Sequence, residues 1–348
     1  MKQEKRQMAI FLIVAYGVSY ALGFFMWYGY AKGADVSVFP SAQMLYPAAG
    51  VMLAYLLTRK EDSRMPKWFF RGVVFVTAMM IVLSIVSVAV PKTMTSMGVS
   101  VSLWAITSQY ILIIGSVVCW VLYLISSKEK REAYGFRWKN SKASVACILL
   151  FLLLYFLRTV LSYAVSGQLE YFLAVILGNP LTWISLFTLG INFFLVYIAF
   201  LGEEYGWRYY LQPIMQKKFG PRAGVLLLGV VWGLWHLPID FFYYSPSAGL
   251  TAAVAQQITC ISLGIFFAYA YLKTGNIWVP VVMHFLNNNL VPVFTGTYSA
   301  DVLENQDMDW RQLPFALLVN FLFFGVFIFT KEFRKGKTPS ESEEKALM

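Results

Sequence analysis

The chain has 348 residues, of which 59% are hydrophobic and only 13% charged, with a formal net charge of +10. A soluble domain carries roughly a quarter charged residues, so this composition excludes a water-soluble globular protein. One bilayer span takes about 20 apolar residues, and the apolar stock here suffices for roughly eight to ten. The basic residues lie between apolar segments, which ties the positive charge to membrane orientation and anionic headgroups rather than to nucleic acid.

In chain order, apolar segments run over 8–30, 41–58, 69–90, 102–126, 144–165, 182–212, 223–243, 249–272, 276–296 and 313–330. They predict an all-α, polytopic transmembrane helix bundle of about ten spans. The first segment follows Lys2, Lys5 and Arg6 as a signal peptide would. It is nevertheless of full span length and lacks a small-residue cleavage site, so it is expected to remain as a helix. The short apolar stretch 171–178 is expected in the membrane interface, and Pro213 is expected to end or kink the sixth span.

Loop charge supports the count of ten. Positive residues recur on every second connection: Arg59, Lys60, Arg64 and Lys67, then Lys128 to Lys142, then Lys217, Lys218 and Arg222, then Lys273, then Lys331 to Lys337. The intervening connections are nearly uncharged, and the last is acidic, with Asp301, Glu304, Asp307 and Asp309. This alternation follows the positive-inside rule and puts both termini in the cytoplasm. There is no internal repeat, and the polar tail after Arg334 is expected to be disordered. Cys119, Cys147 and Cys260 lie in apolar segments without metal-ligand spacing and read as buried thiols.

Ionisable groups at membrane depth are costly and mark functional sites by default. Seven stand out: Arg158, Glu203, Glu204, Arg208, His236, Asp240 and His284. Six of them fall on the sixth, seventh and ninth segments, and His236 and His284 are the only histidines of the chain. Counted along each helix from the basic residues at its inner end, Glu203, His236, His284 and Asn288 all lie at roughly 16–22 Å. With the adjacent Glu204, two carboxylates, two imidazoles and an amide therefore share one depth. Glu204 and Arg208 are four apart and predict an ion pair that neutralises Glu204 and fixes the helix. Glu203 points about 100° away, free to meet His236. His284 and Asn288 share a helix face and can both donate to a developing oxyanion. Asp240, four residues after His236, either orients that imidazole or faces the outer interface. Arg158 stands apart, suited to snorkelling or an inter-helix pair.

These residues resemble the CPBP family of intramembrane proteases, also called the CAAX protease and bacteriocin-processing or Abi family. Its EExxxR motif is matched by Glu203-Glu204-Tyr205-Gly206-Trp207-Arg208, and its HxxxN motif by His284-Phe285-Leu286-Asn287-Asn288. Its FxxxH motif appears as Trp232 to His236, followed by Leu237-Pro238. Trp232 in place of Phe is an aromatic exchange expected to leave the chemistry untouched. The resemblance covers about 180–295, and HExxH, rhomboid-type serine and GxGD motifs are absent.

The resemblance implies three regions: N-terminal transmembrane helices at 1–170, a catalytic helix core at 171–300, and a last helix with a polar cytoplasmic tail at 301–348. It further implies an intramembrane endopeptidase that hydrolyses a peptide bond in a membrane-associated peptide or protein. Glu203 with His236 would activate water, His284 and Asn288 would hold the oxyanion, and Glu204, Arg208, Trp232 and Asp240 would support them. No cofactor is favoured, since the histidines lack chelating spacing; the competing metalloprotease reading places Zn²⁺ on Glu203, His236 and His284. Other functions open to such a chain are a non-catalytic scaffold or immunity protein of the same fold, and a transporter. The expected location is a bacterial cell membrane, as a multi-pass protein.

Overall fold

A computed structural model describes residues 2–96 and 99–334; the polar tail after Arg334 lies outside the described residues. The described chain is predominantly helical. Helix α1 runs Lys2–Ala31, α2 Tyr46–Thr58, α3 Lys67–Ala89, α4 Leu103–Ile125 and α5 Ser141–Val165. Helix α6 runs Pro180–Phe219, α7 Pro221–Trp235, α8 Gly249–Thr274, α9 Trp278–Phe294 and α10 Leu313–Phe323. The bundle is inside-out relative to a soluble protein. Large apolar side chains such as Phe24, Ile114, Leu149 and Phe187 are exposed, while Glu203, Glu204, Arg208, His236, Asp240 and His284 are buried. An exposed apolar perimeter of this kind suits a lipid solvent.

Each expected apolar segment forms helix, but fewer than ten are long enough to cross a bilayer. Six helices, α1, α3, α4, α5, α6 and α8, meet the length and hydropathy of a span, and α7 with its bent continuation Leu237–Tyr244 makes a seventh. The other three are shorter: α2 has 13 residues, α9 17 and α10 11. Most of α2 is buried, from Tyr46 to Tyr55, and most of α9 likewise. Their apolarity serves packing between helices rather than contact with lipid. Composition alone does not separate those two uses. The connection before α4 also holds a small antiparallel hairpin, Thr93–Ser96 with Val99–Ser102, within the otherwise helical chain. The stretch expected at the interface forms a π-helical turn, Tyr171–Ile176, with Phe172 and Ile176 buried.

The helix breaks that position the site follow from local chemistry. Asn179 accepts from the Leu181 amide at 3.0 Å and Pro180 opens α6, where a missing N–H costs nothing. Pro213 does not end α6. The helix passes through a π-helical stretch at Tyr205–Leu211 and continues to Phe219, so the missing proline donor is absorbed by a widened turn. Gly220, at φ 89°, then allows the turn into Pro221 and α7.

Helix α7 ends at Trp235 and the chain bends 41° into Leu237–Tyr244. Pro238 can neither donate to the Leu234 carbonyl nor pack against it as a helix requires. The carbonyls left open there are all met by other groups. Leu234 O accepts from Tyr20 Oη at 2.7 Å, Trp235 O from Gln43 Nε2 at 2.8 Å, Gly233 O from the His236 amide, and Val231 O from Tyr16 Oη. The unsatisfied carbonyls of a helix end thus fasten α7 to α1 and to Gln43.

Candidate active site

The site begins where α6 presses on the start of α2. Gly202 and Gly206 are four apart and flank Glu203-Glu204. A Cβ on Gly202 would lie 2.3 Å from the Met44 carbonyl oxygen, and one on Gly206 2.3 Å from Pro47 Cβ. This small-residue face permits the close backbone approach typical of packed membrane helices. It sets the depth and rotation of the two carboxylates. The spacing was visible in the sequence beside the EExxxR motif, yet its contact partner was not.

Glu204 is fully buried and meets two groups. Its Oε2 lies 3.1 Å from Arg208 Nε, the expected ion pair, and its Oε1 lies 2.9 Å from His284 Nδ1. The guanidinium also lies over the rings of Trp232, at 4.7 Å, and Phe267, at 5.5 Å. Glu204 therefore does more than fix its own helix: it holds the imidazole that α9 contributes.

Glu203 is held differently. The Trp232 indole N–H donates to Glu203 Oε2 at 2.7 Å. That bond corrects the expectation that Trp for Phe changes nothing, because Phe has no donor to offer. The Trp232 backbone carbonyl lies 2.9 Å from His236 Nδ1, and a carbonyl can only accept, so Nδ1 carries the proton and Nε2 is left as the basic nitrogen. One residue of α7 thus orients both Glu203 and His236. Cys260 Sγ approaches the same Nδ1 at 3.8 Å. It is one of three free, buried cysteines, as expected from the sequence.

Glu203, Trp232, His236, Asp240, His284 and Asn288 all line one cavity of about 250 Å³. Asn287 Nδ2 donates to Asn288 Oδ1 at 3.0 Å, which leaves the Asn288 amide N–H groups as its remaining donors. Pro40 and Met44, ahead of α2, form another part of the wall, so the first half of the chain shapes the site although it supplies no titratable group to it. Asp240 is fully buried, and neither of its carboxyl oxygens has a hydrogen-bond partner among the described residues. The group on His236 Nδ1 is the Trp232 carbonyl and not this carboxyl. Arg158 lies away from the cavity, with Nη1 donating to Asn320 Oδ1 of α10 at 3.0 Å and its guanidinium over Tyr155. It makes the inter-helix pair anticipated for it.

Among the described residues no three His, Cys, Asp or Glu side chains converge as a metal site. Of the set named for zinc, Glu203 Oε2, His236 Nδ1 and His284 Nδ1 are engaged by Trp232 and Glu204, which leaves the two Nε2 atoms as the ring nitrogens available for acid–base work or for a metal. Chemically, the arrangement offers a carboxylate and a neutral imidazole beside two potential oxyanion donors in a cavity roomy enough for water and a stretch of peptide.

Comparison with known proteins points the same way. Residues 183–290 match the family model described as type II CAAX prenyl endopeptidase Rce1-like, a stretch that holds all three motifs. A protein of Methanococcus maripaludis named CAAX prenyl protease 2 is 26% identical over 117 residues, which is 32% of this chain. The match spans 43% of that relative. No solved structure matches the chain. Over its site-bearing helices the chain resembles the CPBP family of intramembrane proteases, as its motifs indicated.

Proposed function

We propose that the protein is a CAAX-protease-like intramembrane endopeptidase acting on a membrane-associated peptide or protein. The observation that carries this reading is the convergence of Glu203, His236, His284 and Asn288, from three helices, on one buried cavity. Glu203 takes a proton from a water held against His236 Nε2, and the resulting hydroxide attacks the scissile carbonyl carbon. Asn288 Nδ2 and a protonated His284 Nε2 donate to the oxyanion, with Glu204 on Nδ1 holding the ring. When the tetrahedral intermediate collapses, the C–N bond breaks and the proton on Glu203 passes to the leaving amine. The products are a carboxylic acid and an amine, which exchange a proton to leave as carboxylate and ammonium.

This mechanism is glutamate-dependent and metal-free. Its support is that Trp232 orients both Glu203 and His236 with Nε2 left to hold the water, and that no three His, Cys, Asp or Glu side chains among the described residues converge as a metal site. The catalytic unit is 171–300, with the helices of 1–170 as its surrounding wall. The protein is a multi-pass component of a bacterial cell membrane, with both termini in the cytoplasm.

The test compares membrane-peptide cleavage by wild type, Glu203→Ala and His236→Ala at matched yield in lipid nanodiscs. Each variant should lose at least 10²-fold in rate, the scale of a lost general base. Full activity in Glu203→Ala would sink the reading. Activity that disappears with chelator and returns with stoichiometric zinc would replace the metal-free mechanism by the zinc one.

A further inference from the structure

Asp240 is left unexplained by the mechanism above. It is fully buried, it lines the catalytic cavity, and both carboxyl oxygens lack a hydrogen-bond partner. No cationic side chain pairs with it among the described residues. An unpartnered buried carboxyl is costly to ionise, and one that lines a cavity gains its charge at least cost when a cation comes to pair with it. Glu204, at similar burial, shows what a carboxylate here acquires when its role is structural: an arginine on one oxygen and an imidazole on the other.

A second, independent observation lies at the cavity wall. Leu303, Gln306 and Met308 line the cavity, and the acidic residues Glu304, Asp307 and Asp309 alternate with them along the same segment. Partial burial, with Asp35 and Asp301 close by, pushes the Glu304 carboxyl above its ordinary pKa, the mark of an acidic cluster around it. Between residues 297 and 312 four acidic residues face a single base, Arg311. Glu304, Asp307 and Asp309 are not themselves in the lining, so they act as a negative field beside the cavity, one that favours a cation.

Resting on the endopeptidase reading, we propose that Asp240 is a substrate-recognition subsite that receives a cationic group of the peptide, an ammonium or guanidinium. Asp240 follows His236 by four residues, about 6 Å along a helix. An extended peptide advances about 3.3 Å per residue, so the cationic group falls within roughly two residues of the scissile bond. The favoured substrate is a membrane peptide with a basic residue, or a free amino terminus, beside the cleavage point. Asp240 is in this account a specificity residue, whereas Glu203 and His236 carry the chemistry.

Full-length protein carrying Glu203→Gln, and the same protein with Glu203 intact, is titrated in nanodiscs with apolar decapeptides in which one lysine is walked along the sequence. Each has an Nε-acetyl-lysine counterpart and an N-terminally acetylated counterpart. In at least one register the lysine peptide should bind about tenfold tighter than its acetyl-lysine twin, and Asp240→Asn should bring that ratio to about one. Loss on acetylating the amino terminus instead assigns the subsite to the terminal ammonium. Absence of any preference for the cation, or a preference that survives Asp240→Asn, overturns the proposal. Replacing an unpartnered buried carboxyl by an amide should leave the melting temperature of Asp240→Asn equal to or above the parent's; a fall of several degrees would make the carboxyl structural and also overturn it. Cation-selective binding without cleavage by the Glu203 form would sink the endopeptidase reading and leave the subsite standing.

Discussion

Two arginines within the apolar helices, Arg158 on α5 and Arg208 on α6, are accommodated in opposite ways. Arg158 is met by neutral groups, the Asn320 carbonyl oxygen at 3.0 Å and the rings of Tyr155 and Phe324. Arg208 is fully buried beside the Glu204 carboxylate at 3.1 Å, and that carboxylate in turn holds His284. The α5 region thus absorbs one charge with dipoles and aromatic faces and goes no further. The α6 region links charge to charge, from Arg208 through Glu204 to an imidazole on the wall of a cavity. A lone cation can be a packing solution, whereas a chain of paired ionisable groups ending at a cavity implies chemistry.

Substitutions can break or sharpen that contrast. The largest expected effect is on catalysis: Asn288→Ala should lower kcat by about 10²–10³-fold, the scale of one lost oxyanion donor, with KM little changed. Arg158→Leu should stay within about twofold of wild type in the same assay, and a comparable loss there would erase the distinction between the two regions. Next comes stability. Arg208→Ala strands the buried Glu204 charge and should cost about 3–5 kcal/mol, read as a lower melting temperature and reduced membrane yield. Normal melting would show that the pair is dispensable to the fold.

A smaller effect is expected of Trp232→Phe, which keeps the ring but removes the donor to Glu203. A hydrogen bond to a charged group contributes about 1.5–3 kcal/mol, so activity should fall at least tenfold at unchanged yield. Unchanged kcat would return Trp232 to a packing role. The smallest effect lies outside the membrane segments. Glu304 has its carboxyl raised by burial and by neighbouring Asp35 and Asp301. Its folded-state pKa exceeds the unfolded one, so the stability it contributes is present below about pH 4.5 and is lost as pH rises through the folded value. Glu304→Gln should therefore flatten the melting-temperature profile above pH 4.5, and an unaltered profile would show that Glu304 does not sense the acidic cluster.

Much of this was legible in the order of residues. The scarcity of charge identified the solvent, and each apolar segment formed helix. The Glu204–Arg208 pair follows from a spacing of four on one helix, a rule that needs no knowledge of the fold. The convergence of Glu203, His236, His284 and Asn288 was also readable, because depth along a membrane helix can be counted from its basic end. Span number was less legible: the apolar residues of α2 and α9 read alike whether they face lipid or other helices.

What only the tertiary structure decided is which group meets which. Glu204 rather than Glu203 takes a histidine, Trp232 serves Glu203 with its indole and His236 with its carbonyl, and Asp240 is left without a partner. Those choices depend on the rotation and separation of neighbouring helices. Here they are set by the close approach at Gly202 and Gly206 and by the bend around Pro238. Periodicity along one helix says which residues share a face. Only packing says what that face meets.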